Sequence, residues 1–487
     1  MKPHAAGDPD AVDSEPRDVA RDVARQLAAA RPTRTRAVIA LAWPTAISYL
    51  LQNSYRINDQ FWIQGLGAQA HAAAGAALFV GIMNFAIGFL PAGGALSLAS
   101  RAFGAQDERE FGAIARHALL FALIVGAALA AIGAPLTPTI VELLGLEGET
   151  ARLAHEYLFA LYLCSPALAL ALIVEYLFLA RGRTLFPMVL QAIAIVLNWI
   201  WTPMLAYGER AADVLPVPGA ALAADLAARF GIEGSGMAGA AYATGLARLT
   251  TGIAGLAILG LWLGVPLVPR GLASLARLVR IARISVPVSL SIALYAGVYW
   301  ALLGLVLDRL PAEVTAGLGL GFQVFEGIAY PAFLGVGMAC ASLVGRHLGA
   351  GDTQAVFETI QSSRRVGRFL GIGAGVSFLL GGSLLGPLFT QDPAVLRELE
   401  LYVISLAFSQ YWVAVETIHE RVLLGAGHTR AIPWISGTVN TLRVPLAWLL
   451  ALPLGLGGPG VWWAINATTW IKAFLFWREV RRGDWLR

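Results

Sequence analysis

Charge is scarce in this chain. Charged residues make up 14% of its 487 positions and apolar residues 57%, where soluble globular chains carry roughly 25% and 45–50%. A large soluble helical core is excluded, because too little polar sequence remains to cover it. Lysine is almost missing: Lys2 and Lys472 are the only two, so the basic charge is arginine. The net charge of +4 is spread along the chain, and no nucleic-acid partner is expected. Cys164 and Cys340 are the only cysteines and stand in apolar runs, so a disulfide framework is not expected. No HExxH, P-loop or GxSxG occurs, and the seven histidines are scattered. An enzyme and a resident cofactor are therefore not expected. The first 36 residues lack the apolar core of a cleavable signal.

What the chain has is long apolar runs. Stretches such as 118–142 and 371–389 pass almost without charge, and a bilayer core asks for about 20 such residues. Twelve spans are predicted, at 37–63, 70–97, 113–135, 153–180, 185–207, 235–263, 282–307, 314–344, 366–389, 399–425, 431–454 and 459–477. Arginine gathers at alternate ends. The tail holds Arg17, Arg21, Arg25, Arg31, Arg34 and Arg36, the 2–3 connection Arg101, Arg109 and Arg116, and the 4–5 connection Arg181 and Arg183. The 6–7 connection holds Arg270, Arg277, Arg280 and Arg283, the 8–9 connection Arg346, Arg364, Arg365 and Arg368, and the C-terminus Arg478, Arg481 and Arg482. The other connections carry acids, such as Glu142, Glu147, Glu149, Asp392 and Glu398. This is the positive-inside pattern, which predicts both termini in the cytoplasm of a bacterial inner (plasma) membrane. The lipid bilayer is then the surrounding partner.

The chain also repeats itself. Ser97-Leu-Ala-Ser-Arg-Ala-Phe-Gly-Ala-Gln-Asp107 returns as Ser342-Leu-Val-Gly-Arg-His-Leu-Gly-Ala-Gly-Asp352, an offset of 245 residues. The same offset carries Tyr157 to Tyr402, Glu175 to Glu420, Gly182 to Gly427 and Thr184 to Thr429. Six spans per half leave the halves in one orientation. The expected fold is an all-α integral membrane protein with two parallel six-helix repeats, related by a pseudo-two-fold axis along the membrane normal. The expected organisation is a cytoplasmic tail at 1–36, an N-lobe at 37–263, a linker at 264–281, a C-lobe at 282–478 and a C-terminal tail at 479–487. The first tail is read as a short basic helix on the inner membrane surface or as disordered. The 208–234 connection is the largest external insertion. Pro44 and Pro287 match across the repeat, and each could bend its helix.

Ionisable groups inside a bilayer are costly and are functional candidates. Counting about 1.5 Å per residue, Asp59 lies roughly 9 Å in from the outer face, Asn198 roughly 12 Å and Thr244 roughly 13 Å. These three spans share one depth band, which suits a proton or small-cation site built from a carboxylate, an amide and a hydroxyl. Asn198 and Thr244 could instead make plain helix–helix hydrogen bonds. Arg56 lies one turn before Asp59 and either competes with a proton for it or reaches to the headgroups. Glu175 and Glu420 are repeat mates near the inner ends of spans 4 and 10, and read as gate or packing residues. In the C-lobe, Glu326 and Arg443 fall near the midplane, and Glu416, His419 and Glu420 share one helix face. Glu326 and Arg443 either face the cleft or neutralise each other. Tyr295, Tyr299, Trp300, Phe322, Phe325, Tyr330 and Trp412 are candidate walls for a small-molecule, cationic substrate.

Several motifs point one way. Leu-Ala-Trp-Pro44, Asp59 followed by Gly65-Leu-Gly67, Arg101-Ala-Phe-Gly-Ala, Asn198 and Gly239-Ala-Ala-Tyr-Ala-Thr244 resemble the multidrug and toxic compound extrusion (MATE) family, bacterial DinF-like type, over about residues 37–478. The resemblance implies a secondary antiporter that exports organic, often cationic compounds against H⁺ or Na⁺. It implies that Asp59 is the coupling acid and that Asn198 and Thr244 stand beside it, with Na⁺ at Asp59/Asn198 as the metal alternative. One position departs: an acid found one turn after the asparagine in archaeal-type members is Thr202 here. One carboxylate fewer tilts the expectation toward protons. The alternative is a lipid-linked oligosaccharide flippase of the same superfamily, which Arg56, Arg248 and Arg443 keep open. Oligomeric state is not legible in the sequence, and a monomer is carried only as one option.

Overall fold

The computed structural model describes residues 16–267 and 274–486. Residues 268–273 of the 264–281 linker, Arg270 among them, lie outside the described residues, as do the side chains of Arg17 and Arg56. All described regular structure is helical. The helices are α1 (Pro16–Ala29), α2 (Thr35–Ile63), α3 (Ala68–Gly88), α4 (Leu90–Gly104), α5 (Glu108–Leu143), α6 (Gly148–Leu163), α7 (Ser165–Ala180), α8 (Leu185–Tyr207), α9 (Ala211–Val214), α10 (Ala220–Phe230), α11 (Gly236–Ala257), α12 (Leu275–Leu305), α13 (Ala312–Leu320), α14 (Gly327–Gly349), α15 (Thr353–Leu385), α16 (Pro393–Ala407), α17 (Gln410–Gly425), α18 (Thr438–Ala451) and α19 (Gly457–Arg482).

Among the described residues, seven helical stretches are long and apolar enough to cross a membrane, and the bent pairs α6–α7 and α16–α17 bring the number to nine. The other three expected spans are α2, α18 and α19. α18 is only 14 residues long, and the three carry Asn58 and Asp59, Asn440 and Arg443, and Asn466 and Lys472. Intramembrane polar side chains of this kind need partners inside the protein, which is where function collects.

The repeat is visible in the backbone. α6–α7 bends by 52° and α16–α17 by 55°, at positions 245 residues apart. Asp107 caps α5 by accepting from Glu110 N at 2.9 Å, and its mate Asp352 caps α15 by accepting from Ala355 N at 2.9 Å. A cap at each mate ends the preceding connection in the same way, so both halves re-enter the membrane alike.

The two lobes meet at their arginine-rich ends. Ser97 Oγ donates to Gly425 O at 3.1 Å, and its mate Ser342 Oγ donates to Leu179 O at 2.7 Å. Arg101 donates to Ala426 O. Gly104 lies against the backbone of Arg346, and its mate Gly349 against the backbone of Arg101. A side chain at either glycine would run into that backbone. Leu96, Ala99, Val336, Cys340, Val344 and Leu423 fill the core of this seal. The inter-lobe hydrogen bond farthest from the seal, among the described residues, is Asn53 Nδ2 to Gly327 O at 2.9 Å. Beyond it no hydrogen bond joins the lobes among the described residues. Gly104→Val is expected to loosen the seal by about 1–3 kcal/mol through overpacking. Faster labelling of Cys340, which is fully buried in that core, by a water-soluble maleimide is the readout.

The tail helix α1 does not lie free on lipid. Val23 and Leu27 are buried, and Val23 meets Gly483 just past α19. Gln361 of α15 donates to Leu27 O. Arg34, at the start of α2, then holds Glu358 at 3.2 Å, and Arg34 N donates to Ser362 Oγ at 3.1 Å. The N-lobe's first helix is thereby strapped to the C-lobe. The Thr33 hydroxyl, with Gln354 and Arg34 adding to it, holds the Glu358 carboxyl below its ordinary value. A lowered carboxylate stabilises at neutral pH, and the contribution is lost as pH falls through that lowered value. Glu358→Ala is expected to raise Cys340 labelling about two- to five-fold at pH 7, as an exposed ion pair of this kind allows, with the difference from wild type shrinking as pH falls.

Candidate ion-coupling and substrate site

The N-lobe cluster is built where α2, α8 and α11 pack together. Asn198 is fully buried, and its Nδ2 donates to Thr244 Oγ1 at 3.1 Å. Thr244 Oγ1 donates in turn to Asp59 Oδ2 at 3.4 Å. Asn58 Nδ2 donates to Asn198 Oδ1. Asp59 Oδ1 is buried and accepts no hydrogen bond from the described residues. The structure thus brings together Asp59, Asn198 and Thr244 and adds Asn58. Thr202 is fully buried one turn below Asn198, but its hydroxyl has no hydrogen-bond partner in the described structure and does not join the chain.

Glu175, on the bent α6–α7 span, does not join the Asp59 hydrogen-bond chain among the described residues. It lines a cavity of about 20 Å³ with Gln191, Arg248 and Thr251. That is room for about one water. Arg248 Nη1 donates to Gln191 Oε1 at 2.6 Å, and its guanidinium sits 4.5 Å from the centre of the Tyr55 ring. Tyr55 is one turn before Asp59, so Arg248 stands between the Asp59 cluster and Glu175. This arginine was expected only as a mark of the flippase alternative.

The C-lobe set divides into two groups. Glu326 Oε1 accepts from Tyr402 OH at 2.6 Å, while Arg443 donates to Thr468 Oγ1 at 3.0 Å and to Tyr299 OH at 3.3 Å. No ion pair joins Glu326 to Arg443 among the described residues, so the two do not neutralise each other directly. Glu326 ends a π-turn, Gly321–Glu326, that breaks the regular repeat of this span. Tyr299 and Phe322 stand 5.9 Å apart beside Arg443. Trp300 is turned away from them, on the exposed stripe of α12 with Leu290, Leu294 and Leu305. Trp412 packs edge-on against Tyr411 at 5.2 Å and takes no part in the Glu326 group.

The second group is inter-helical charge. Glu416 pairs with Lys472 of α19 at 2.7 Å, both largely buried. Glu420 pairs with Arg421 at 3.3 Å, and Tyr330 interacts electrostatically with Glu416, Glu420 and Arg421. His419 was expected on the face of Glu416 and Glu420. It is buried and turned to Val415 O at 2.6 Å instead, as a ring nitrogen satisfied within its own helix.

A family model described as MatE matches residues 44–204 and 287–449. The chain belongs to the MatE family. The two matched stretches open on Pro44 and Pro287 and cover one repeat each. Among curated MatE-like relatives, a probable multidrug resistance protein NorM of Bradyrhizobium diazoefficiens is 29% identical over 448 residues, 89% of this chain and 90% of that one. A probable multidrug resistance protein NorM of Thermotoga maritima is 24% identical over 462 residues, 93% and 94% of the two chains. A solved structure described as the outward-facing conformation of a multidrug resistance MATE family transporter superposes with a TM-score of 0.82 at 20% identity, covering 95% of this chain and 98% of that one. The chain is therefore a multi-pass membrane transporter with the MatE fold.

Within this MatE chain, sequence reasoning missed Asn58, Arg421 and Lys472. Asn58 adjoins Asp59, so an amide next to an acid in an apolar span was its signal. Lys472 was noted as rare but given no partner, since 56 residues separate it from Glu416. Asn198→Ala is expected to slow gradient-driven transport about ten-fold. Breaking one hydrogen bond in a buried network costs roughly 1–3 kcal/mol, and initial rates in vesicles measure it.

Proposed function

We propose that this protein is a secondary active antiporter that exports cationic or amphipathic organic compounds and takes up H⁺ in exchange, by alternating access. The observation that carries this reading is the Asp59 carboxylate, buried with one oxygen unpartnered beside Asn58, Asn198 and Thr244. An ionised acid there loses water, and a proton relieves that cost. Asn58 Oδ1 and Asp59 Oδ1 are both buried without a partner, so the cluster offers oxygens to either ion. We take H⁺ because the position one turn after Asn198 is Thr202 and supplies no second carboxylate. We take the arginine-rich, sealed end as cytoplasmic and the membrane as the bacterial plasma membrane.

In this reading the described state is outward-facing. Substrate reaches the cleft from the cytoplasm when the seal is open, and a proton on Asp59 favours the state that releases it outside. A bound proton drives the change only if its affinity differs between the two states. A pH difference of one unit supplies about 1.4 kcal/mol per proton, and 100 mV about 2.3 kcal/mol per charge. Names of the relatives, as multidrug resistance proteins, support the same cargo class. Movement of a fluorescent cationic dye in vesicles under an imposed ΔpH or ΔNa⁺ tests it. Dye movement following ΔpH alone supports proton exchange, movement following ΔNa⁺ alone replaces H⁺ with Na⁺, and no gradient-driven movement of any cation favours the flippase reading.

A further inference from the structure

The floor of the cleft holds a cation that the exchange of protons does not use. Arg421 is the repeat mate of Tyr176, and the two lie within electrostatic reach of each other, each about one turn along its helix from the seal contacts at Gly425 and Leu179. Arg421 is 8% exposed, yet its Nε and Nη1 hydrogen-bond to no described residue. Glu420 Oε1 stands 3.3 Å from Nη1, close enough for charge attraction but out of line for a hydrogen bond. Gly337 clears space for the side chain's stem, since a Cβ there would touch Arg421 Cγ. Three tyrosines ring the head. Tyr49 and Tyr176 hydroxyls are 3.3 Å apart on the N-lobe side, both within electrostatic reach of Arg421. Tyr330 reaches it from the C-lobe, and at 43% exposed it opens the group to the cleft.

A buried guanidinium with idle donors is costly, and an anion whose oxygen reaches either idle edge relieves that cost. We propose that Arg421, with the Tyr49, Tyr176 and Tyr330 hydroxyls around it, is the docking point for an anionic group of the exported molecule. The cleft then takes amphiphiles that bear a carboxylate or phosphate. Where such a molecule also carries a cationic group, Glu420, displaced from Arg421, is its neighbour. This rests on the export reading of the cleft and deepens it. Because both lobes contribute hydroxyls, an anion arriving from the cytoplasm is held by both as the floor closes beneath it, and it leaves through the outer side of the cleft.

The test uses a fluorescent aromatic amphiphile made as a free carboxylate and as its neutral amide. Equilibrium binding to the full-length protein in detergent needs no gradient, so it stands apart from the transport reading. Wild type is expected to bind the carboxylate about ten-fold or more tighter than the amide. Arg421→Gln is expected to erase that preference and leave amide binding within two-fold, while Arg421→Lys keeps part of it. Tyr330→Phe is expected to weaken the carboxylate a few-fold. Equal binding of both by wild type, or equal loss of both in Arg421→Gln, would overturn the proposal. Gradient-driven movement of the same pair in vesicles then judges the export reading separately.

Discussion

Asp59→Asn is expected to abolish gradient-driven export, with initial rates falling at least about a hundred-fold, while substrate binding stays within a few-fold of wild type. Asparagine keeps the size of the side chain and can still accept from Thr244, so the packing of α2 on α8 and α11 survives. What it cannot do is exchange a proton. No other acid joins the chain of hydrogen bonds through Asn58, Asn198 and Thr244. Without proton exchange, a gradient worth about 1.4 kcal/mol per pH unit has no group to act on. Proton flux, read with a pH dye inside vesicles, is expected to vanish together with cargo movement. Full coupling in the variant would instead move the coupling acid to Glu175 or Glu326.

Lys472→Met is expected to cost about 3–5 kcal/mol of stability at neutral pH, the range for stripping one partner from a buried ion pair. Glu416 would be left as an unmatched carboxylate between α17 and α19. The loss is expected to shrink as pH falls, because a protonated Glu416 no longer needs a counter-charge. Glu416→Gln with Lys472→Met is expected to recover most of it, since both charges then go together. Melting temperature in detergent measures all three. Lys472 acts here as a tethered cation, so added Na⁺ or K⁺ is expected to stabilise Lys472→Met and not the wild type. A variant as stable as the wild type would mean that the pair is open to water and worth little.

The sequence reached the Asp59 cluster by counting residues along helices. Depth follows from a fixed rise, so Asp59, Asn198 and Thr244 could be placed in one band before any contact was known. It could not reach the side-chain directions. Tyr299 and Trp300 are neighbours in the chain, yet one faces Arg443 and the other stands on an exposed stripe. Glu326 and Arg443 share a depth, yet each is hydrogen-bonded to a different tyrosine. His419 sits at the right spacing for the face of Glu416 and is turned to its own helix.

By itself, then, the sequence determined that this is a twelve-helix membrane protein made of two parallel repeats, with its arginines at one end and a buried acid in the first span. Scarce charge, span length and a 245-residue echo are properties of the chain alone, because a bilayer sorts residues by polarity and a duplication leaves its offset. Only the tertiary structure decided that Asn58 joins Asp59, that Lys472 neutralises Glu416, that α1 straps the lobes together and that Arg421 comes within electrostatic reach of Tyr176. Those pairings depend on the azimuth of each helix and on the 52° and 55° bends of spans 4 and 10. Azimuth and bend are set by how neighbouring helices pack, and packing is a property of the whole bundle.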